Sequence, residues 1–130
     1  MVTLTIIRGL PGTGKSTLGK SLVADVHLEA DMFFMVDGEY RFDVNKLHQA
    51  HSWCLNETIR HLVKGHDVVV SNTFTTMKEL NPYLEVAARL QAKVVVYRMT
   101  HMYGSIHNVP AETMKKMAAR FSDYAGEIIR

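Results

Sequence analysis

Apolar residues along this chain fall either into short dense runs or into stretches where they recur every three or four positions. Val2, Leu4, Ile6 and Ile7 open the chain, and Val68-Val69-Val70 and Val94-Val95-Val96-Tyr97 follow. Runs of this kind predict strands buried on both faces of a parallel sheet. The first strand is predicted over about Val2–Arg8, and a shorter one over Val26–Ala30. Helical spacing predicts a first helix to about Ala24, and a long one over Val44–Lys64 opened by Asp43 and stopped by Gly65. The inner face of the long helix is predicted to be Leu47, His51, Cys54, Leu55, Thr58 and Leu62. Thr76-Met77-Lys78-Glu79 reads as a capping box opening a helix to about Gln91, with a kink or restart at Asn81 because Pro82 follows. Pro110 suits the start of a last helix carrying Met114, Met117, Phe121 and Ile128 on one face. Met32–Phe42 is aromatic, turns at Asp37-Gly38, and reads as a loop or small hairpin. The alternation of strand and helix predicts an α/β architecture in three layers. A mostly parallel sheet of four to five strands would carry helices on both faces, in one domain spanning residues 1–130.

Composition narrows the picture only slightly. The chain is 47% hydrophobic and 22% charged over 130 residues, enough to bury a core and unlike a disordered segment. Fifteen Lys plus Arg against 13 Asp plus Glu give a net charge of +2, which neither demands nor excludes nucleic acid. The single cysteine, Cys54, rules out an internal disulfide and suits a reducing compartment. No stretch is apolar and long enough to span a bilayer, and strand 1 begins at once, so the expectation is a cytoplasmic protein with no membrane partner.

The chemistry is concentrated between strand 1 and helix 1. Gly9-Leu10-Pro11-Gly12-Thr13-Gly14-Lys15-Ser16 is a complete phosphate-binding loop, G-x-x-x-x-G-K-S, followed by Thr17. Glycines let the backbone curl so that several N–H groups converge on one anion, and the helix start adds a partial positive charge. The loop Gly9, Pro11, Gly12, Thr13, Gly14, Lys15, Ser16 and Thr17 is therefore expected to hold ATP or GTP. Lys15 is expected on the β- and γ-phosphates and Ser16 on Mg²⁺.

Ligands of parallel sheets bind at the carboxyl ends of the strands, which brings in three further segments. Asp31 follows strand 2 and is a candidate catalytic base or water-mediated magnesium holder, or alternatively a cap. Asn72, in Ser71-Asn72-Thr73, stands where a metal-holding Asp would end the strand, and is a candidate for the nucleotide, a water or a substrate. Thr100–Val109, with His101, Gly104 and His107, is expected to form a lid. Arg41, Arg98 and Arg120 are the arginine candidates, though no spacing singles one out. His48 and His51 lack the matching acids or cysteines of a metal site. Trp53 is expected to pack on the Met32–Phe42 segment. Phe33, Phe34, Tyr40 and Phe42 suit either a satellite core or a stacking surface for a nucleobase.

R-G-L-P-G-T-G-K-S-T, Asp31, V-V-V-S-N-T and H-N-V-P together resemble the small P-loop kinases related to phage polynucleotide kinase and an AAA-like, zeta-toxin-like group. The resemblance implies the P-loop NTPase fold, ATP and Mg²⁺ as cofactors, and Asp31 as the base that deprotonates a 5′-hydroxyl. It departs at Phe34 and Asn72, where an Arg and an Asp are usual, and near Tyr103-Gly104-Ser105, where lid arginines are usual. The function implied is transfer of the γ-phosphate to a hydroxyl of a polynucleotide 5′ end or a small metabolite. The alternative is a nucleotide-binding or ATPase module without an acceptor that regulates a partner. Oligomeric state is not encoded in these motifs.

Overall fold

The computed structural model describes residues 1–103 and 109–130. In chain order the strands are β1 (Thr3–Gly9), β2 (Val26–Leu28), β3 (Met35–Val36), β4 (Glu39–Tyr40), β5 (Val68–Ser71), β6 (Lys93–Met99) and β7 (Ile128–Ile129). The helices are α1 (Lys15–Ser21), α2 (Leu47–Val63), α3 (Met77–Arg89) and α4 (Ala111–Arg120). Single 3₁₀ turns at Ala30–Phe34 and Val44–Lys46 precede the hairpin and α2.

Five strands make one sheet in the order β2-β5-β1-β6-β7, with every pair parallel. β1 is central because Leu4 and Ile6 find apolar partners on both sides. Leu4 lies opposite Val68 and Val94, and Ile6 opposite Val70 and Val96. Alternation then splits the core between two faces. Leu4, Ile6, Val68, Val70 and Val96 pack with Cys54 and Leu62 of α2 and with Leu80 and Ala87 of α3. Ile7, Val69 and Met99 face the other way, onto Leu18 and Leu22 around α1. The expected three-layer α/β fold is the one observed. β3 and β4 form a separate antiparallel hairpin turning at Asp37-Gly38, and Trp53 rests against Phe33 at 6.3 Å between ring centroids.

Three expectations are corrected, and at Pro82 one of two alternatives is removed. The long helix starts as a 3₁₀ turn, and its buried row is Ala50, Cys54, Thr58 and Leu62, while Leu47 and His51 are exposed. Small side chains at Ala50, Cys54 and Thr58 let α2 lie close over the Ala30–Phe34 turn, which rotates Leu47 and His51 outward. α3 runs through Pro82 without a restart. Its Thr76 cap accepts from the Glu79 N–H, and Leu80, Tyr83 and Ala87 bury its inner face, so one missing backbone bond is tolerated. β2 ends at Leu28, so Asp31 sits inside the 3₁₀ turn. The last helix stops at Arg120, and Ile128 belongs to β7 instead. Phe121 leaves the helix because its ring lies between the guanidinium groups of Arg8 and Arg98, 4.5 Å from each, and the Ser122 N–H donates to the Thr75 carbonyl.

Candidate active site

The loop from Gly9 to Ser16 crosses the carboxyl end of β1 and runs into α1. Gly12 and Gly14 have φ of 85° and 83°, a conformation that opens the loop into a concave row of N–H groups and disfavours any side chain. Gly9 has no room for a side chain either, since a Cβ there would stand 2.8 Å from the Met99 carbonyl oxygen. Its N–H donates to the Thr73 carbonyl, which ties the loop to the segment after β5. The Thr13 hydroxyl donates to the Leu10 carbonyl at 2.7 Å, and the Lys15 ammonium donates to the same oxygen at 2.9 Å. Lys15 therefore lies folded back into the loop. Burial pulls its pKa down to about 8, against the pull of the Glu29 and Asp31 carboxylates, which favour the charged form. Pro11 is half-buried and Thr17 is exposed beside the same loop.

Ser16 donates its hydroxyl proton to Glu29 Oε2 at 2.7 Å. No sequence motif marks Glu29, because the motif positions are Asp31 and the end of the Val68–Val70 run. The one available signal was a carboxylate two positions before Asp31. Serine hydroxyl and carboxylate oxygens are hard donors of the type magnesium takes, so the residues present fit that ion.

Asp31 is exposed, and its Oδ1 accepts from the Tyr40 hydroxyl at 3.3 Å. Its carboxylate favours the charged form of Lys15. Asn72 anchors that turn. Its Oδ1 accepts from the Ala30 N–H at 2.9 Å, and its amide donates to Cys54 Sγ at 3.7 Å. Asn72 also borders an open cleft of about 470 Å³ lined by His48, His51, Phe74, Thr76, Lys78 and other residues of α2 and α3. Asn72 thus joins the Asp31 turn to the cleft, and the Ser16–Glu29 hydrogen bond joins the phosphate loop to the same turn.

The three arginine candidates separate clearly. Arg41 pairs with Glu39 on the hairpin, and Arg98 pairs with Asp123 and Glu127. Arg120 reaches the strand ends, donating from Nε to Thr75 Oγ1 at 3.1 Å. Of the expected lid, Thr100–Tyr103 is described, and the Tyr103 N–H donates to the Gly12 carbonyl at 3.0 Å. Gly104 and His107 lie outside the described residues. Among the described residues no helix is long and apolar enough to cross a membrane.

Comparison with known proteins agrees with this geometry. Residues 4–116 match the family described as "AAA domain". NEDD4-binding protein 2 of Homo sapiens is 34% identical over 99 residues, 72% of this chain but 6% of that protein. The structure of the Pnkp1/Rnl/Hen1 RNA repair complex contains a chain that superimposes with a TM-score of 0.72 at 16% identity, covering 92% of this chain and 44% of that one. A gluconokinase from Sinorhizobium meliloti 1021 superimposes with a TM-score of 0.62 at 14% identity, covering 98% of this chain and 81% of that one. The fold is that of the small P-loop kinases.

Proposed function

The chain belongs to this AAA domain family, and from that premise we propose that it is an ATP- and Mg²⁺-dependent phosphotransferase acting on a hydroxyl group. The observation that carries the reading is the phosphate loop tied to the Asp31 turn by the Ser16–Glu29 hydrogen bond, with that turn joined to the cleft by Asn72. The loop amides and Lys15 hold the triphosphate. Ser16 would hold magnesium, which would supply charge neutralisation to the triphosphate. An acceptor in the cleft presents its hydroxyl to Asp31, which takes the proton as the oxygen bonds to the γ-phosphorus and ADP leaves. Arg120, held at Thr75, is the arginine best placed to meet charge on the transferred group. The acceptor is a polynucleotide 5′ end or a small metabolite. The resemblance to an RNA-repair assembly favours the first and the resemblance to a gluconokinase the second. A single buried cysteine suits a cytoplasmic setting.

The second reading, a nucleotide-binding or ATPase module serving a partner, is favoured by two of the three arginines being already paired with acids of this chain. Labelled ATP offered with a 5′-hydroxyl oligonucleotide, with gluconate, and alone separates the two. Transfer of label to either acceptor supports the kinase. ATP hydrolysis that ignores both leaves the module. Asp31→Asn is expected to keep ATP binding and lower transfer by about 10²–10⁴; loss of ATP affinity in that variant would move Asp31 to the nucleotide itself.

A further inference from the structure

P-loop proteins that use magnesium normally pair the loop hydroxyl with an acid at the end of a strand beside it. After β5, the strand that would carry it, this chain has Ser71 and Asn72. Neither is charged, and both are committed. Ser71 Oγ is 2.8 Å from His27 Nε2, and Asn72 is held by Ala30 and Cys54.

We propose that Glu29, at the end of neighbouring β2, supplies this acid and completes the magnesium site with Ser16. The assignment rests on the nucleotide-binding reading above. Three observations carry it. Glu29 Oε2 already shares a hydrogen bond with Ser16 Oγ, at 2.7 Å. The same oxygen lies 3.3 Å from His27 Nε2, which also stands 2.8 Å from Ser71 Oγ, so the imidazole packs against the carboxylate and limits where it can move. The space for that ring comes from α1, where Gly19 stands against it; a Cβ at Gly19 would lie 2.6 Å from His27 Nε2. Ser16, Glu29, His27 and Ser71 form one chain of contacts across α1, β2 and β5.

The carboxylate is only 22% exposed and close enough to Lys15 to favour its charged form. A triphosphate placed on Lys15 therefore meets a fixed negative charge unless a divalent cation stands between them. This gives the site a signature that a purely structural hydrogen bond lacks. Glu29 should oppose metal-free nucleotide and favour the magnesium complex.

The test is calorimetric titration of ADP and ATP into wild-type protein and Glu29→Gln, each with excess Mg²⁺ and with a chelator. Glu29→Gln is expected to bind metal-free nucleotide more tightly than wild type. It should also lose about 10–100-fold of the enhancement that Mg²⁺ gives. Glu29→Asp keeps the charge but withdraws it by one methylene. It is expected to leave metal-free affinity unchanged and to reduce the Mg²⁺ enhancement, so it decides the matter should Glu29→Gln fail to fold. Ser16→Ala should lose the same enhancement, with the double variant no worse than the single ones. Full Mg²⁺ enhancement in both Glu29 variants overturns the assignment alone. Wild-type protein that binds neither ADP nor ATP overturns the nucleotide reading and this one with it.

Discussion

Lys15 is held under two opposed pulls. Burial disfavours its charge, whereas Glu29 and Asp31 favour it, and burial wins, leaving the pKa at about 8 against 10.5 for a free lysine. Below pH 8 the folded protein carries a charge that the unfolded chain accommodates more easily, so this group costs stability there. The cost is relieved as pH rises from about 8 to 10.5, where the unfolded state binds more protons. Lys15→Met should therefore be no less stable than wild type at pH 7 in a nucleotide-free thermal melt. The same variant should lose about ten- to a hundredfold in ATP affinity, the worth of one charge-assisted contact. A variant that melts lower and binds ATP normally would mean the lysine is a structural brace. Cys54 gives a simpler case. It is fully buried, and burial pushes its thiol pKa up, so iodoacetamide at pH 8 should leave it unmodified until the protein is unfolded. Single residues were legible in the sequence where the chemistry is contiguous, as from Gly9 to Ser16. They were illegible where partners are remote. Glu29 meets Ser16 across 13 positions, His27 meets Ser71 across 44, and nothing local marks either pairing.

At the scale of elements the reading from periodicity held for β1, β5 and β6 and drifted for the short edge strands and the helices. β5 and β6 hold unbroken valine runs and β1 a run of Leu4, Ile6 and Ile7 interrupted by Thr5, each with neighbours on both sides, so pattern and position coincide. α2 turned by one row because its packing is set by the small residues Ala50, Cys54 and Thr58, and not by the largest ones. α4 stopped short because the pull on Phe121 comes from Arg8 and Arg98, more than 20 positions away in sequence. α1 illustrates how one element can be shaped for another. Glycine inside a helix costs roughly 1 kcal/mol relative to alanine, so Gly19→Ala would ordinarily stabilise α1. Here the added Cβ meets His27 Nε2 at 2.6 Å and Ser71 Oγ at 3.0 Å. The imidazole is the movable party and must leave its place between Ser71 and Glu29. Gly19→Ala is expected to fold, to show no rise in melting temperature, and to weaken the Mg²⁺ enhancement of nucleotide affinity. A rise of several degrees with that enhancement intact would show that the ring is not locked by α1.

Across the whole molecule the segment after α4 closes one end of the sheet and neutralises a charge in its centre. Arg8 lies in the middle strand and is fully buried. Its guanidinium donates to the Phe74 carbonyl from Nε and a terminal nitrogen, at 3.0 and 2.7 Å, and pairs with Glu127 at 2.9 Å. Glu127 also pairs with Arg98, and the Phe121 ring fills the space between the two arginines. β7 follows directly and adds its two residues to β6, so the acid and the strand dock together. The sequence reading had no access to this arrangement, because Arg8 and Glu127 are 119 positions apart and Arg8 reads locally as the polar end of a strand. The consequence is unequal costs for removing either or both partners. Glu127→Ala leaves a guanidinium buried with only the Phe74 carbonyl and the Phe121 ring, and should cost about 3 kcal/mol in urea unfolding, the low end for a broken buried pair. Arg8→Met/Glu127→Met removes both charges and should recover most of that loss, because desolvating the pair offsets much of its attraction. If the double variant is as unstable as Glu127→Ala, the segment is held by something other than this charge, and its docking would have to rest on Phe121 and β7.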